Sequence, residues 1–221
     1  MLLRLAAVLM MSTIGGAPED VLVLRPGAYA TDDVAFVRAR TPWNALCREG
    51  IGARIVPTVP DQRPPLLHTA GERISLRGCA DAVIAMSGSG WKAGPVETAK
   101  VAGDAVIFRG KKYIVRRTGA GPVDVRDGQS PMPSSRFVVE FGGRQTLLQE
   151  GDPWTEFQLL WAGDLDRDGQ LDLAFLQTTG SAHQQTDLPF LFLSSRATPG
   201  APLGAGGIRG IPAVRRLTRL P

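Results

Sequence analysis

Between Asp164 and Asp172 the chain places four carboxylates within nine residues, Asp164-Leu-Asp166-Arg-Asp168-Gly169-Gln170-Leu-Asp172. Like charges this close repel one another. A fold that keeps them together must neutralise them, and a bound cation does so most directly. A hard divalent ion such as Ca²⁺ takes about six to eight oxygens at about 2.3–2.6 Å in a forgiving geometry. Alternate side chains turned inward supply Asp164, Asp166 and Asp168, and Gly169 permits the sharp turn that keeps the third carboxylate on the ion. Gln170 then offers its backbone carbonyl and Asp172 closes the shell. The pattern predicts a Ca²⁺ site made of Asp164, Asp166, Asp168, Gln170 and Asp172.

The flanks decide what kind of site it is. An EF-hand requires a bidentate Glu at the twelfth position and helices on both sides, whereas that position here is Phe175. Before the loop, Phe157, Leu159 and Trp161 alternate with Gln158 and Leu160; after it, Leu171, Leu173 and Phe175 share one face. Period two belongs to strands, so the expected unit is strand, ion loop, strand. These residues resemble the DxDxDGxxD calcium loop of FG-GAP and VCBS-type repeats. The resemblance implies Ca²⁺ coordination by the side chains of Asp164, Asp166, Asp168 and Asp172. It covers only residues 157–177 and occurs once, so it implies neither a propeller nor integrin-like ligand binding. The chain as a whole also resembles small exported bacterial proteins that carry one such segment.

Twenty-six glycines and 17 prolines favour short strands and many turns over long helices. The expected class is mainly β, an α+β chain with little helix, built of antiparallel hairpins. Residues 105–108 and 113–115 flank the basic tip Arg109-Gly-Lys-Lys112, and residues 137–141 and 145–149 flank Gly142-Gly143. Residues 21–24 read as a strand ended by Arg25-Pro26-Gly27. Residues 41–50 carry helix signals: Thr41 as cap, Pro42 at the first position and Gly50 as stop. Residues 54–65 hold four prolines and read as an extended surface loop. The expected organisation is a signal peptide at 1–17 and a single β-rich domain at 18–221. Within that domain, 18–81 is irregular and disulfide-stapled, 82–196 is hairpin-rich, and 197–221 is a flexible basic tail.

Arg4, the apolar residues 5–11 and the small residues of 12–17 have the order of a secretory signal, which predicts a periplasmic or secreted protein. No other run approaches the roughly 18 apolar residues of a membrane helix. Two cysteines, Cys47 and Cys79, lie in the exported part, and an even count there predicts a disulfide. Closing that loop would stabilise the fold by about 3–4 kcal/mol through the entropy of the unfolded chain. The formal charge of +4 is local: Arg109, Lys111, Lys112, Arg116 and Arg117 in one stretch, Arg209, Arg215, Arg216 and Arg219 at the end. Only Tyr113 lies among them as a stacking platform, which argues against specific nucleic-acid binding and for a solvated hairpin face and a basic tail.

No catalytic signature stands out. His68 and His183 have no nucleophile or carboxylate at a telling spacing, and Ser89 lacks the glycine two before it that an esterase elbow needs. Glu150, Asp152 and Glu156 read as a turn, while Trp154 and Trp161 read as core or as a sugar-binding face. The expected function is a non-enzymatic, calcium-stabilised binding module of the bacterial envelope. Its partner would be an unknown protein or an envelope polymer, and its oligomeric state is left open. The alternative is a calcium-stabilised hydrolase acting on cell-wall or carbohydrate material.

Overall fold

The computed structural model describes residues 21–29, 37, 42–63, 72–119, 134–180, 184–196, 208–209 and 213–216. The class is mainly β, as the glycine and proline content predicts, and its sheets are antiparallel. In chain order the strands are β1 (Val23–Leu24), β2 (Gly27–Tyr29), β3 (Trp43–Glu49), β4 (Gly52–Thr58), β5 (Pro60–Arg63) and β6 (Glu72–Leu76). They continue with β7 (Ala82–Ser87), β8 (Gly94–Thr98), β9 (Lys100–Ala102), β10 (Ala105–Phe108), β11 (Lys111–Gly119) and β12 (Ser135–Phe141). The remainder are β13 (Arg144–Gly151), β14 (Glu156–Asp164), β15 (Asp172–Gly180), β16 (Gln184–Phe192), β17 (Ile208–Arg209) and β18 (Ala213–Arg216). One 3-10 turn, Ser194–Arg196, follows β16.

The largest sheet runs β1-β7-β3-β4-β8-β14-β15-β16-β17, with β18 also on β16. β1 comes round beside β16, so the sheet is a nearly closed barrel. β8 joins its two halves: residues 94–96 pair with β4 and residues 97–98 with β14. A five-stranded meander, β13-β12-β11-β10-β9, and a three-stranded sheet, β2-β6-β5, complete the architecture.

Both predicted hairpins are present. Arg109-Gly110 and Gly142-Gly143 form their two-residue turns, all four residues having positive φ, as primed hairpin turns require. β15 is buried on both faces. Leu173 and Phe175 face a core shared with the meander, while Ala174 and Leu176 face the barrel core. Phe175 stacks on Phe190 at 5.0 Å and on Phe192 at 5.2 Å, and meets Phe137 of the meander at 4.7 Å. Aromatic contacts thus fasten the meander to the barrel directly beneath the aspartate loop.

Two expectations are corrected. Residues 41–50 are not a helix: residues 43–49 are strand β3, and Gly50, with φ +58°, forms the turn into β4. The strand is buried on both sides, with Trp43, Ala45 and Cys47 in one core and Leu46 in the barrel core. That double burial erases the polar alternation by which strands are recognised, and the cap-like residues at its ends then read as helix signals. Residues 54–65 are not one loop, because β4 and β5 run through them. Pro57 pairs with Asn44 beyond the reach of β8, and Pro60 opens an edge strand, the places where a missing N–H does least harm. Strands β1 to β6 lie within 18–81, and within 197–221 both β17 and β18 pair with β16. Pro189 falls between the residues of β16 that pair with β17 and those that pair with β18. Cys47 and Cys79 form the predicted disulfide, with Cα atoms 5.8 Å apart. No helix among the described residues is long and apolar enough to cross a membrane.

Candidate metal centre

β14 ends at Asp164 and β15 begins at Asp172, and the ladder closes with Gly163 opposite Asp172. Backbone pairing therefore fixes the two ends of the loop, as the strand–loop–strand expectation requires. Two leucines hold the span between them. Leu165 inserts into the barrel core and Leu171 into the core shared with the meander. With those side chains committed inward, the aspartates between them have little freedom left. The flanking alternation is broken at one point: β14 shifts register between Leu159 and Trp161. Phe157 and Leu159 pack against the shared core, whereas Leu160 and Trp161 lie in the barrel core. A bulge of this kind inserts one residue and turns the following side chains over.

Asp164, Asp166 and Asp172 converge, one oxygen of each lying within 4.8 Å of the others. Asp164 is 4% exposed and Asp172 0%. Asp172 is the best-held of the three. Its Oδ2 accepts the N–H of Leu165 at 2.7 Å, and its Oδ1 accepts the N–H of Ser194 at 2.8 Å and the hydroxyl of Ser194 at 3.0 Å. Asp166 accepts the Ser195 hydroxyl and the N–H of Asp168. Asp164 Oδ2 accepts the N–H of Gly169 at 2.9 Å, but its Oδ1 is buried with no hydrogen-bond partner. Burial pushes the Asp172 carboxyl up to about 7, with the Asp166 charge adding to the effect. Asp166 is raised too, again chiefly by burial.

Asp168 and Gln170 stand differently from the other predicted ligands. Both are exposed, and the Asp168 carboxylate is not one of the three that converge. Asp168 borders it, since the Ser194 hydroxyl that touches Asp172 lies 2.8 Å from Asp168 Oδ2. Gln170 donates its N–H to Asp168 Oδ1 at 2.8 Å, and its side chain reaches the other oxygen of the same carboxylate at 3.4 Å.

Two arginines tie the loop to its surroundings. Arg167, with φ +65°, turns its guanidinium away from the carboxylates onto the carbonyls of Lys92, Ala93 and Pro95. Arg109, at the tip of the β10–β11 hairpin, donates to Glu97 at 2.6 and 2.9 Å and to the Gly169 carbonyl at 2.8 Å, and reaches Asp164 Oδ2 at 3.4 Å. Its bond to Glu97 holds that carboxyl below its ordinary range. Gly169 is required by its φ of +85°; a Cβ there would also lie 2.6 Å from an Arg109 guanidinium nitrogen, which would have to move aside. Arg109 is thus tied to the aspartate loop while its side chain remains 46% exposed on the hairpin face. Arg109, Glu97, Ser194 and Ser195 are the residues that sequence reading missed, all of them distant in the chain from the loop they hold.

The other sequence candidates fall elsewhere. His68 and His183 lie outside the described residues. Ser89 is exposed, Trp91 is buried with its indole N–H on the Ser87 carbonyl, and Trp161 is in the core. Asp152 caps a turn through Trp154 and Thr155, and Glu150 pairs with Arg136.

The donor set is all oxygen and its span suits a hard cation: ligands about 2.4 Å from an ion lie up to about 5 Å apart across it. A buried carboxylate oxygen without a donor is costly, and a cation would satisfy Asp164 Oδ1. The triad can hold a metal ion. Comparison with known proteins finds no matching family model, no similar curated protein and no similar solved structure.

Proposed function

We infer that this is an exported calcium-binding protein whose ion pins the β14–β15 hairpin, and that it works as a non-enzymatic binding module of the bacterial envelope. The observation that carries the metal reading is the buried, unpartnered Asp164 Oδ1 beside Asp166 and Asp172. The oxygen-only donors and the 4.8 Å span favour Ca²⁺ over ions that prefer nitrogen or sulfur. The likeness of residues 157–177 to the FG-GAP type of calcium loop points the same way. Export is supported by the signal-like residues 1–17 and by the Cys47–Cys79 disulfide, a bond at home in oxidising compartments.

Chelation tests the ion. EDTA should lower the melting temperature, and Ca²⁺, but not Mg²⁺ at equal concentration, should restore it. Coincident melting curves for chelated and calcium-loaded protein would end the calcium reading, as would unchanged calcium affinity in Asp166→Ala. For export, N-terminal sequencing of the mature protein should begin near Pro18, and an intact Met1 would refute it.

A further inference from the structure

Arg109 occupies a place its backbone does not favour. It is the first residue of a two-residue primed turn with φ +48°, a conformation usually left to Gly, Asn or Asp. A residue at odds with its own turn has its reason in the side chain. Here the guanidinium spans three acceptors, Glu97, the Gly169 carbonyl and Asp164, and so joins the meander to the aspartate loop. The contact to Asp164 is the longest, at 3.4 Å against 2.6 Å to Glu97. Arg109 can release Asp164 and keep its other partners.

We propose that Arg109 is a tethered counter-cation of the aspartate site, one that holds Asp164 Oδ2 while the ion takes Oδ1 and that limits the site's affinity through its charge. The proposal rests on the calcium reading above. When the site holds no ion, the guanidinium offsets part of the charge of Asp164, Asp166, Asp168 and Asp172. An ion that takes Asp164 meets the Arg109 charge a few ångströms away. Two cations at that distance repel appreciably even where water penetrates, and the Arg109 side chain is 46% exposed, so the repulsion is damped and not abolished. Glu97 sets the balance. By binding Arg109 at 2.6 Å, against 3.4 Å for Asp164, it weakens the competition, and its own charge favours the ion. Ion occupancy is thereby linked to the grip of the β10–β11 hairpin on the loop, a coupling that works in both directions.

The opposite reading is that Arg109 helps the ion by orienting Asp164, and it predicts the opposite result. Calcium titration calorimetry on the full chain at fixed ionic strength, after removal of metal, separates the two. Arg109→Gln should bind Ca²⁺ about tenfold more tightly while melting at a lower temperature in EDTA. Arg109→Lys, which keeps the charge, should stay near the wild-type affinity, and Glu97→Gln should bind more weakly. Damage to the fold alone would weaken both Arg109→Gln and Glu97→Gln, so their opposite signs are the diagnostic. Unchanged or weaker binding in Arg109→Gln overturns the proposal while leaving the calcium reading intact. If Arg109→Gln does not fold, Arg109→Gly, which suits the φ of +48° at that turn, takes its place: tighter binding supports competition, and equal or weaker binding refutes it. A wild-type protein that takes up no Ca²⁺ overturns both.

Discussion

Asp172 is a carboxylate in a place where carboxylates do not ordinarily remain charged. It is fully buried, it accepts three backbone N–H groups and a hydroxyl, and its carboxyl is still raised to about 7 because the loss of water outweighs those bonds. The consequence for stability has a definite sign. In the unfolded chain the same group releases its proton near pH 4. The metal-free fold therefore binds more protons than the unfolded chain between about pH 4 and 7. The stability this gives is fully present at the acid end and is lost as the pH rises through about 7. Thermal melts in EDTA should show the wild type losing stability from pH 5 to 7, and Asp172→Asn, which cannot titrate, should lack that component. Saturating Ca²⁺ should flatten the wild-type profile, because the ion replaces the proton. A wild type and an Asp172→Asn variant with identical pH slopes would show that Asp172 is ionised throughout. Legibility at this scale was uneven. The spacing of Asp164, Asp166 and Asp172 was plain in the sequence because they lie on one short loop. Arg109 and Ser194 were not, because nothing in the local pattern says which distant residue will meet a loop.

At the level of the element, β15 carries the site. Its first residue, Asp172, belongs to the converging acidic triad, and its third and fourth residues, Ala174 and Phe175, belong to different cores. Phe175 lies against Phe137, Phe190 and Phe192, so its ring joins the meander to the strand that starts at the metal loop. Phe175→Ala should cost about 3–5 kcal/mol by emptying that junction. Denaturant unfolding checks the loss, and calcium affinity should fall with it because Leu171 and Phe175 set the position of Asp172. A variant that loses less than about 1 kcal/mol would show that the meander packs independently of the barrel. The strand β3 shows why element type was harder to read than the loop. Trp43, Ala45 and Leu46 are all buried, so the sequence has no polar face to count, and a Thr-Pro start with a Gly stop looked helical. The bulge at Leu160 misled more quietly, by moving Trp161 to the face opposite Phe157.

Across the whole molecule the disulfide and the aspartate loop lie in separate regions. Cys47 and Cys79 sit with Tyr29, Trp43 and Ile74 in the N-terminal core, whereas the loop lies where the barrel core and the meander core meet. The sheet order keeps them apart, with β4 and β8 between β3 and β14. Replacing both cysteines by serine should therefore lower stability by about 2–4 kcal/mol and leave the calcium affinity near its wild-type value. Paired denaturation and calcium titration would test this, and a matching loss of affinity would mean that the barrel transmits strain from one end to the other.

The sequence by itself determined the β class, the two glycine-containing hairpins, the pairing of the only two cysteines and the aspartate loop. Each is set by residues close in the chain or by a count that allows one answer. Tertiary structure decided the rest: that β8 joins two half-barrels, that residues 43–49 are a strand, and that Arg109 and two serines complete the site. Those outcomes depend on which surfaces become buried against which, and burial on both faces removes the very alternation from which it could have been foreseen.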